Sequence, residues 1–517
     1  MTATGAARPA GAAPGSSLRP GGAPLLGSAP LLGSAPRRRG PVAIVGGGIS
    51  GLATAFYLAR GEQPVPVEIF EASGRFGGNI RTEHLDGFSF DVGPDSFLRT
   101  RPEGAGLCRE LGLEAELITP KPEGRGVYLA RDGRLERMPE GLSLGVPLSL
   151  GGLLDCSFLS PAGKLRAMGE PFVPRRRDEG AEESIAEFMR RRLGREMADC
   201  LAAPLLAGVY AGDAGRLSMD AAFPQLVDLE RRHGSLLRGM LRGRGWLGVL
   251  RPTRSPESPF ITPRAGLERL VRRLVEVLPA EALHTNTAVH GIERRADGYV
   301  LKTSAGEREC SAVVLAAPPW SVAELFARGG AEGAFHELGA ELREIRWSAT
   351  ATVFFGLEAA GVELPLDASG FIVPEGEGRI LAATWISSKW SDRAPPDKVL
   401  VRAFVGGARS PELVELGDEE LSSLAWEELR RFMGPLGEPL WGRVYRYRRG
   451  NPQPELGHVG RLTRMRALLD DLPGLFLTGS GYGGVGIPDC VRQARAAAQL
   501  LLEAPSAGPA RPSSGVV

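Results

Sequence analysis

A glycine-rich turn between a short apolar run and a helical pattern limits what this chain can fold into more than any other feature. Residues 42–45, Val-Ala-Ile-Val, are apolar, rich in β-branching and end abruptly in glycine, the pattern of a strand buried on both faces. The turn reads Gly46-Gly47-Gly48-Ile49-Ser50-Gly51. Its spacing puts Gly46 at the tight turn, Gly48 where backbone approaches a pyrophosphate, and Gly51 where helix packs on strand. A helix over residues 52–59 then offers its N-terminus to phosphates. A second apolar run, residues 65–70, ends in Glu71, about twenty residues beyond the turn, where a carboxylate accepts hydrogen bonds from ribose hydroxyls. A glycine triplet alone also fits a plain structural turn. The ordered set of strand, helix, strand and acid is what predicts a dinucleotide unit.

With 517 residues, 43% of them hydrophobic, the chain is long enough for two or three cores. A formal net charge of +1 offers no global field for nucleic acid. The five cysteines, Cys108, Cys156, Cys200, Cys310 and Cys490, form no Cys-x-x-Cys pair, and the six histidines form no ligand set, so neither a structural metal nor a metal enzyme is expected. No run of about eighteen apolar residues predicts a spanning helix. Residues 1–40, Ala/Gly/Pro-rich with a direct Leu-Leu-Gly-Ser-Ala-Pro repeat, are expected to be a disordered tail, as are residues 506–517. Arginines without acids give the first tail a superficial likeness to a transit peptide, but its prolines and glycines bar an amphipathic helix.

After the dinucleotide unit comes Arg75-Phe76-Gly77-Gly78, then Gly93-Pro94-Asp95-Ser96-Phe97; the middle carries Gly208-Val209-Tyr210-Ala211-Gly212-Asp213, and the far end Gly483-Gly484-Val485-Gly486-Ile487-Pro488-Asp489-Cys490. In this order they resemble the protoporphyrinogen oxidases of the amine oxidase superfamily, over roughly residues 41–502. The resemblance implies non-covalently bound FAD, with contacts from Gly46, Gly47, Gly48, Ile49, Ser50, Gly51, Glu71, Ala72, Arg75, Gly77, Gly78, Gly93, Pro94, Asp95, Ser96, Val289, Gly479, Val485, Gly486 and Ile487. Two departures stand out: Ser480 where many superfamily members carry an acid after glycine, and Pro488 where a polar residue is frequent. Cys490 reads as a small buried residue rather than a reactive thiol.

The fold class expected is α/β, a Rossmann-like two-part FAD-binding domain with a mixed-sheet substrate domain and a helical lobe that serves as lid or faces a membrane. The FAD domain is assigned residues 41–105, 262–322 and 450–505; the lobe residues 125–235; the substrate domain residues 106–124, 236–261 and 323–449. Within these, residues 102–112 read as a helix, 127–135 as a hairpin with an Asp-Gly turn, 184–200 as a helix capped by Ser184 and Glu187, and 285–289 as a strand.

The resemblance further implies oxygen-dependent six-electron oxidation of protoporphyrinogen IX, with hydride passing to FAD and hydrogen peroxide released, in heme synthesis. The flavin carries the hydride, so no catalytic side chain is assigned, and no metal. Arg125 is placed by it at a substrate carboxylate, and Ile372 and Trp385 along an apolar ring pocket, though both fit a core equally well. Protoporphyrinogen IX is preferred to coproporphyrinogen III because no second basic residue is placed by motif. The partners expected are the porphyrinogen, dioxygen, a membrane surface met by the Leu-rich, basic segment 141–174, and a second copy in a homodimer; the location expected is cytoplasmic, peripheral on the inner face of the cell membrane. Other FAD amine oxidases or desaturases, and a tetrapyrrole-binding scaffold without turnover, stay open as alternatives.

Overall fold

In the computed structural model, which describes residues 31–33, 40–139, 141–143, 145–148, 150–176, 181–242, 258–330 and 332–504, the strand Val42–Val45 lies inside a six-stranded sheet. The strand order is Leu31–Leu32, Leu475–Leu477, Ala312–Leu315, Val42–Val45, Val67–Phe70, Leu283–His284. All neighbours are parallel except the first pair. Such strands need cover on both faces. The helices Ile49–Ala59 and Ile487–Glu503 pack together over one face in a core with Ile44, Ile69 and Val314, and the helices Pro319–Arg328, Ala334–Arg343 and His458–Asp470 supply Val322, Leu342 and Met465 on the other.

A seven-stranded sheet stands beside it, in the order Trp441–Gln453, Arg346–Glu358, Lys398–Gly406, Ile380–Trp385, Gly370–Ile372, Tyr128–Arg131, Arg134–Arg137. It is antiparallel except where Gly370–Ile372 meets Tyr128–Arg131. The helix Asp418–Met433 closes one face. The Asp132-Gly133 turn has positive φ at both residues, as a two-residue hairpin requires.

The helical lobe, from Leu150–Leu154 to Leu236–Leu241, is organised by an ion pair with both side chains fully buried, Glu170 with Arg192. The Glu170 carboxylate also accepts from Ser235 Oγ at 2.5 Å and from the backbone of Leu236 at 2.9 Å, while Arg192 also donates to Val173 O and Gly234 O. A buried pair is tolerable only when its remaining hydrogen-bonding capacity is met in this way. The helix Ile185–Leu193 begins at the expected Ser184/Glu187 capping box and stops at Gly194, followed by Arg195–Met197 and a π-turn at Ala198–Ala202 rather than one continuous helix.

Several boundaries differ from expectation because apolar contact, not sequence order, decides them. Leu107, Cys108, Leu111 and Leu113 fill the dinucleotide core, so residues 106–113 do not belong with the substrate sheet. The hairpin 128–137 joins that sheet and not the helical lobe, and Phe326, Leu338 and Leu342 join the core of the six-stranded sheet. The strand expected at 285–289 is replaced by Leu283–His284 and Val289–Arg295.

Leu31 is fully buried and pairs with Leu477, and Leu32 pairs with Phe476, so the expected disorder through residue 40 does not hold for residues 31–33. The rest of that expectation, apart from Gly40, the whole of 506–517, and most of the polar linker at 251–259 lie outside the described residues. Covering the exposed edge of Leu475–Leu477 satisfies a ladder that would otherwise face solvent. Leu31→Ala is expected to destabilise the protein by about 3 kcal/mol, read as an earlier unfolding transition; an unchanged transition would show the edge strand to be dispensable.

Candidate functional site

The floor of the site is residues 46–51, whose glycines divide by physical cause. Gly46 has φ +109°, and a Cβ there would lie 2.8 Å from Ala316 O. A Cβ on Gly51 would lie 2.0 Å from Gly46 O, and one on Gly47 2.4 Å from the Phe76 ring. These three are demanded by the protein's own packing. Gly48 is different: its φ is an ordinary −74°, and a Cβ there meets nothing within 4 Å. The space above Gly48, at the start of a helix with no side-chain cap and no acid in its first turn, fits the pyrophosphate of FAD.

Glu71 sits at the end of the adjacent strand, its Oε2 accepting from Gly47 N and its Oε1 from Ser73 N, each at 2.8 Å. Each oxygen keeps a lone pair for a ribose hydroxyl. Glu71 and Ser73 are stitched to His284, Asn286 and Thr287 through backbone bonds of 2.8 to 2.9 Å, which brings Ala72 and Val289 to the same end of the sheet. Arg75 is spent on its own loop, donating to Gly78 O at 2.5 Å and Ile80 O at 3.1 Å, and so shapes the Gly77-Gly78 turn. That turn touches the floor: Gly77 N donates to Gly47 O at 2.8 Å, and a Cβ on Gly78 would stand 3.5 Å from Gly48 Cα.

Gly93 continues this wall, with no room for a Cβ against Asn79 O at 2.0 Å. Next to it, Asp95 accepts from Ser96 Oγ at 2.7 Å, Lys389 Nζ at 2.8 Å and Trp390 Nε1 at 3.3 Å; Pro94 is exposed. Burial raises the Asp95 carboxyl, but Lys389, Ser96 and Arg402 overcome that and hold it below the usual carboxylate range.

The opposite wall is the loop before Ile487–Glu503. A Cβ on Gly479 would lie 3.7 Å from Ser50 Oγ, so the two glycine loops meet. Asp489 explains much of this loop's motif: it accepts from Gly486 N at 3.2 Å, pairs with Arg101, and leaves no space for a side chain at Gly484. Burial pushes the Cys490 thiol up to about 11, which suits a packing residue.

Ile372 and Trp385 are not on one wall. The register pairs Phe371 with Ala383 and Ile372 with Ala382, so alternation puts Trp385 on the Phe371 face, fully buried beneath Asp418–Met433. Trp385 is core, a correction to its expected place in a ring pocket. Ile372 lies on the other face with Ala382, Thr384 and Phe404, all half-buried, and both Ile372 and Val485 pack against the helical lobe. The lobe is docked on this side by backbone: Tyr210 O accepts from Gln453 Nε2 at 2.8 Å and Ala211 O from Ala408 N at 2.8 Å.

Arg125 precedes the strand Tyr128–Arg131, in a loop pinned by Lys121 N to Lys389 O at 3.0 Å and by Ser369 Oγ to Gly124 O at 2.6 Å. Lys389, Trp390, Arg393 and Arg402 escaped the motif reading. Only Arg402 carried a signal, a lone cation within the apolar run 399–405.

Comparison with known proteins bears on the family and the fold. The profile of the family described as flavin containing amine oxidoreductase matches residues 49–502. The chain is 34% identical to the coproporphyrinogen III oxidase of Bacillus subtilis (strain 168), across 88% of this chain and 96% of that protein. It is 28% identical to protoporphyrinogen oxidase 2, chloroplastic/mitochondrial, of Arabidopsis thaliana, across 89% and 94%. A crystal structure from Exiguobacterium sp. described as a protoporphyrinogen oxidase superposes with a TM-score of 0.77 at 30% identity, covering 90% of this chain and 99% of that one.

Gly48 and Gly51 should therefore fail differently when substituted. Gly48→Asp should fold yet purify without flavin, because its side chain and charge meet only the pyrophosphate; Gly51→Ala should impair folding itself. Circular dichroism and the flavin-to-protein ratio separate the two, and a Gly48→Asp protein with a full flavin spectrum excludes this placement.

Proposed function

The chain belongs to the family of flavin containing amine oxidoreductases and is an FAD-dependent oxidoreductase; we propose that its substrate is a porphyrinogen. The observation that carries this reading is near full-length similarity to porphyrinogen oxidases, joined to a half-buried wall of Ile372, Ala382, Thr384 and Phe404 on the sheet face that the helical lobe and Val485 approach.

In this reading the floor glycines Gly46, Gly47, Gly48 and Gly51, with Ile49 and Ser50, cradle the pyrophosphate. Glu71 and Ala72 hold the ribose and Val289 the adenine end. Gly77, Gly78, residues 93–96, Gly479, Val485, Gly486 and Ile487 border the flavin, with Arg75 acting through its loop. FAD supplies the two-electron acceptor chemistry. The chain holds the macrocycle with a bridging carbon toward the flavin, excludes water beneath the docked lobe, and grips propionates with Arg125. Pyrrole protons leave by tautomerism and exchange, so no strong base is needed. Six electrons and six protons leave the macrocycle, and three dioxygen molecules accept them as three of hydrogen peroxide.

Which porphyrinogen is oxidised turns on the cations near the wall. Preference for protoporphyrinogen IX rested on Arg125 as the single placed base. Lys121 and Lys389, on and beside the Arg125 loop, are paired with Glu123 and Asp95 and add no uncommitted charge; what favours coproporphyrinogen III is that the Bacillus subtilis relative is a coproporphyrinogen III oxidase. The apolar wall and the Arabidopsis relative favour protoporphyrinogen IX as the second reading. Purified protein should bleach anaerobically with either porphyrinogen and, in air, oxidise coproporphyrinogen III faster with peroxide released. Arg125→Ala should chiefly raise KM. No bleaching with either compound would refute the reading.

Attachment to a membrane surface is the second part of the proposal. Leu165, Met168 and Phe172 are 71%, 39% and 84% exposed, and Leu154 is 59% exposed on the neighbouring helix. Buried Glu170 anchors the turn that presents Phe172, and Lys164, Arg166 and Arg175 stand in the same segment. Among the described residues no helix is long and apolar enough to cross a membrane. The protein should float with anionic vesicles at low salt and Leu165→Ser/Phe172→Ser should abolish flotation with flavin content unchanged; failure of the parent protein to float would dismiss this surface.

A further inference from the structure

Arg402 occupies the middle of the strand Lys398–Gly406, opposite Phe354 on one neighbour and Thr384 on the other, on the sheet face that meets residues 89–96. It is 5% exposed. Its Nη1 donates to Gly93 O at 2.9 Å and Asp91 O at 3.5 Å, and its Nη2 to Val92 O at 2.9 Å. Its guanidinium carbon stands 4.4 Å from the centroid of Phe404 and 5.1 Å from that of Phe354. Three carbonyls and two rings solvate the cation without neutralising it.

Each neighbouring acid already has a cation of its own, and the charge that Arg402 shares with Asp95 is one that Lys389 also claims. Asp91 pairs with Arg393 at 3.5 Å and accepts from Thr82 Oγ1 at 2.6 Å and Leu267 N at 2.9 Å. Asp95 pairs with Lys389 at 2.8 Å. Two carboxylates therefore stand against three cations, and among the described residues none forms an ion pair with Arg402. The carbonyls of Val92 and Gly93 need donors, but a neutral amide would supply them, so hydrogen bonding alone does not account for a buried full charge. The charge calls for a negative partner outside the polypeptide.

The position of Arg402 identifies that partner. The carbonyl it holds belongs to Gly93, which abuts Asn79; the Gly77-Gly78 turn just before Asn79 abuts Gly48 and the open pyrophosphate space. Through Gly93, Arg402 thus holds the segment assigned to the flavin. A flavin gains electron density on reduction, and a cation fixed in a region of low polarisability favours the electron-rich form, since no solvent must reorganise to meet the new charge.

We propose that Arg402 is a positioning residue that acts through the Asp91, Val92 and Gly93 carbonyls and sets a positive field behind the flavin, favouring its reduced, anionic state. This rests on flavin binding by the chain and is independent of which porphyrinogen is oxidised.

Sulfite is the probe, because its addition to flavin N5 forms an N–S bond and leaves negative charge on the ring without need of substrate or oxidant. Flavin-loaded parent protein, Arg402→Lys, Arg402→Gln and Arg402→Met are titrated with sulfite, and their reduction potentials are measured by dye equilibration. Arg402→Lys keeps the charge and should stay near the parent, whereas the two neutral variants should bind sulfite about ten-fold more weakly and shift to more negative potentials. Arg402→Gln retains a donor for the carbonyls, so it separates charge from hydrogen bonding. Neutral variants that hold flavin with the parent's sulfite affinity and potential overturn the proposal. So does loss of flavin from both neutral variants, which would make the role purely structural.

Discussion

The structure depends on a short clamp. Residues 89–96 run between the dinucleotide sheet and the seven-stranded sheet, and three cations from the second sheet's side hold them: Arg393 at Ser89 and Asp91, Arg402 at the carbonyls of 91–93, and Lys389 at Asp95. Each cation is largely withdrawn from water, where charge-assisted hydrogen bonds are stronger and a lost partner is more costly. The clamp fixes the distance between floor and wall. Through it, the half-buried face around Ile372 is held relative to the glycine floor.

The helical lobe is attached on a different principle. Its own interior is tied together by the hydrogen-bonded, buried Glu170 and Arg192 network. Its docking on the substrate sheet uses backbone carbonyls of Tyr210 and Ala211, with Ala211 at φ +47°. The Gly-Val-Tyr-Ala-Gly-Asp run is therefore intelligible as an attachment: a chain path with positive φ that turns two carbonyls onto the sheet. Tyr210 completes it by donating to Ala222 O from a buried hydroxyl.

Local features were legible in the sequence because their causes are local. The strand, turn and helix around Gly46 to Gly51, the Ser184/Glu187 capping box and the Asp132-Gly133 hairpin each depend on residues within a few positions of one another. Glu71 belongs here too, since its distance from the turn is set by one βαβ unit. These features determined the dinucleotide fold and brought its glycine turn against Glu71.

What only the tertiary structure decided were questions of which side is covered and by what. Alternation along Ile380–Trp385 shows that there are two faces, but not that the helix Asp418–Met433, much further along the chain, covers Trp385 and leaves Ala382 and Thr384 half-open. Residues 106–113 and Leu31 were misplaced for the same reason: burial comes from distant partners, here the dinucleotide core and Leu477. Arg402 was visible as a cation in an apolar strand, yet whether it had a counter-ion depended on Asp91 and Asp95 being taken by Arg393 and Lys389, residues far from them in sequence. Charge balance at a buried site is a property of the assembled neighbourhood, because Coulomb interactions act through space and desolvation depends on everything that excludes water.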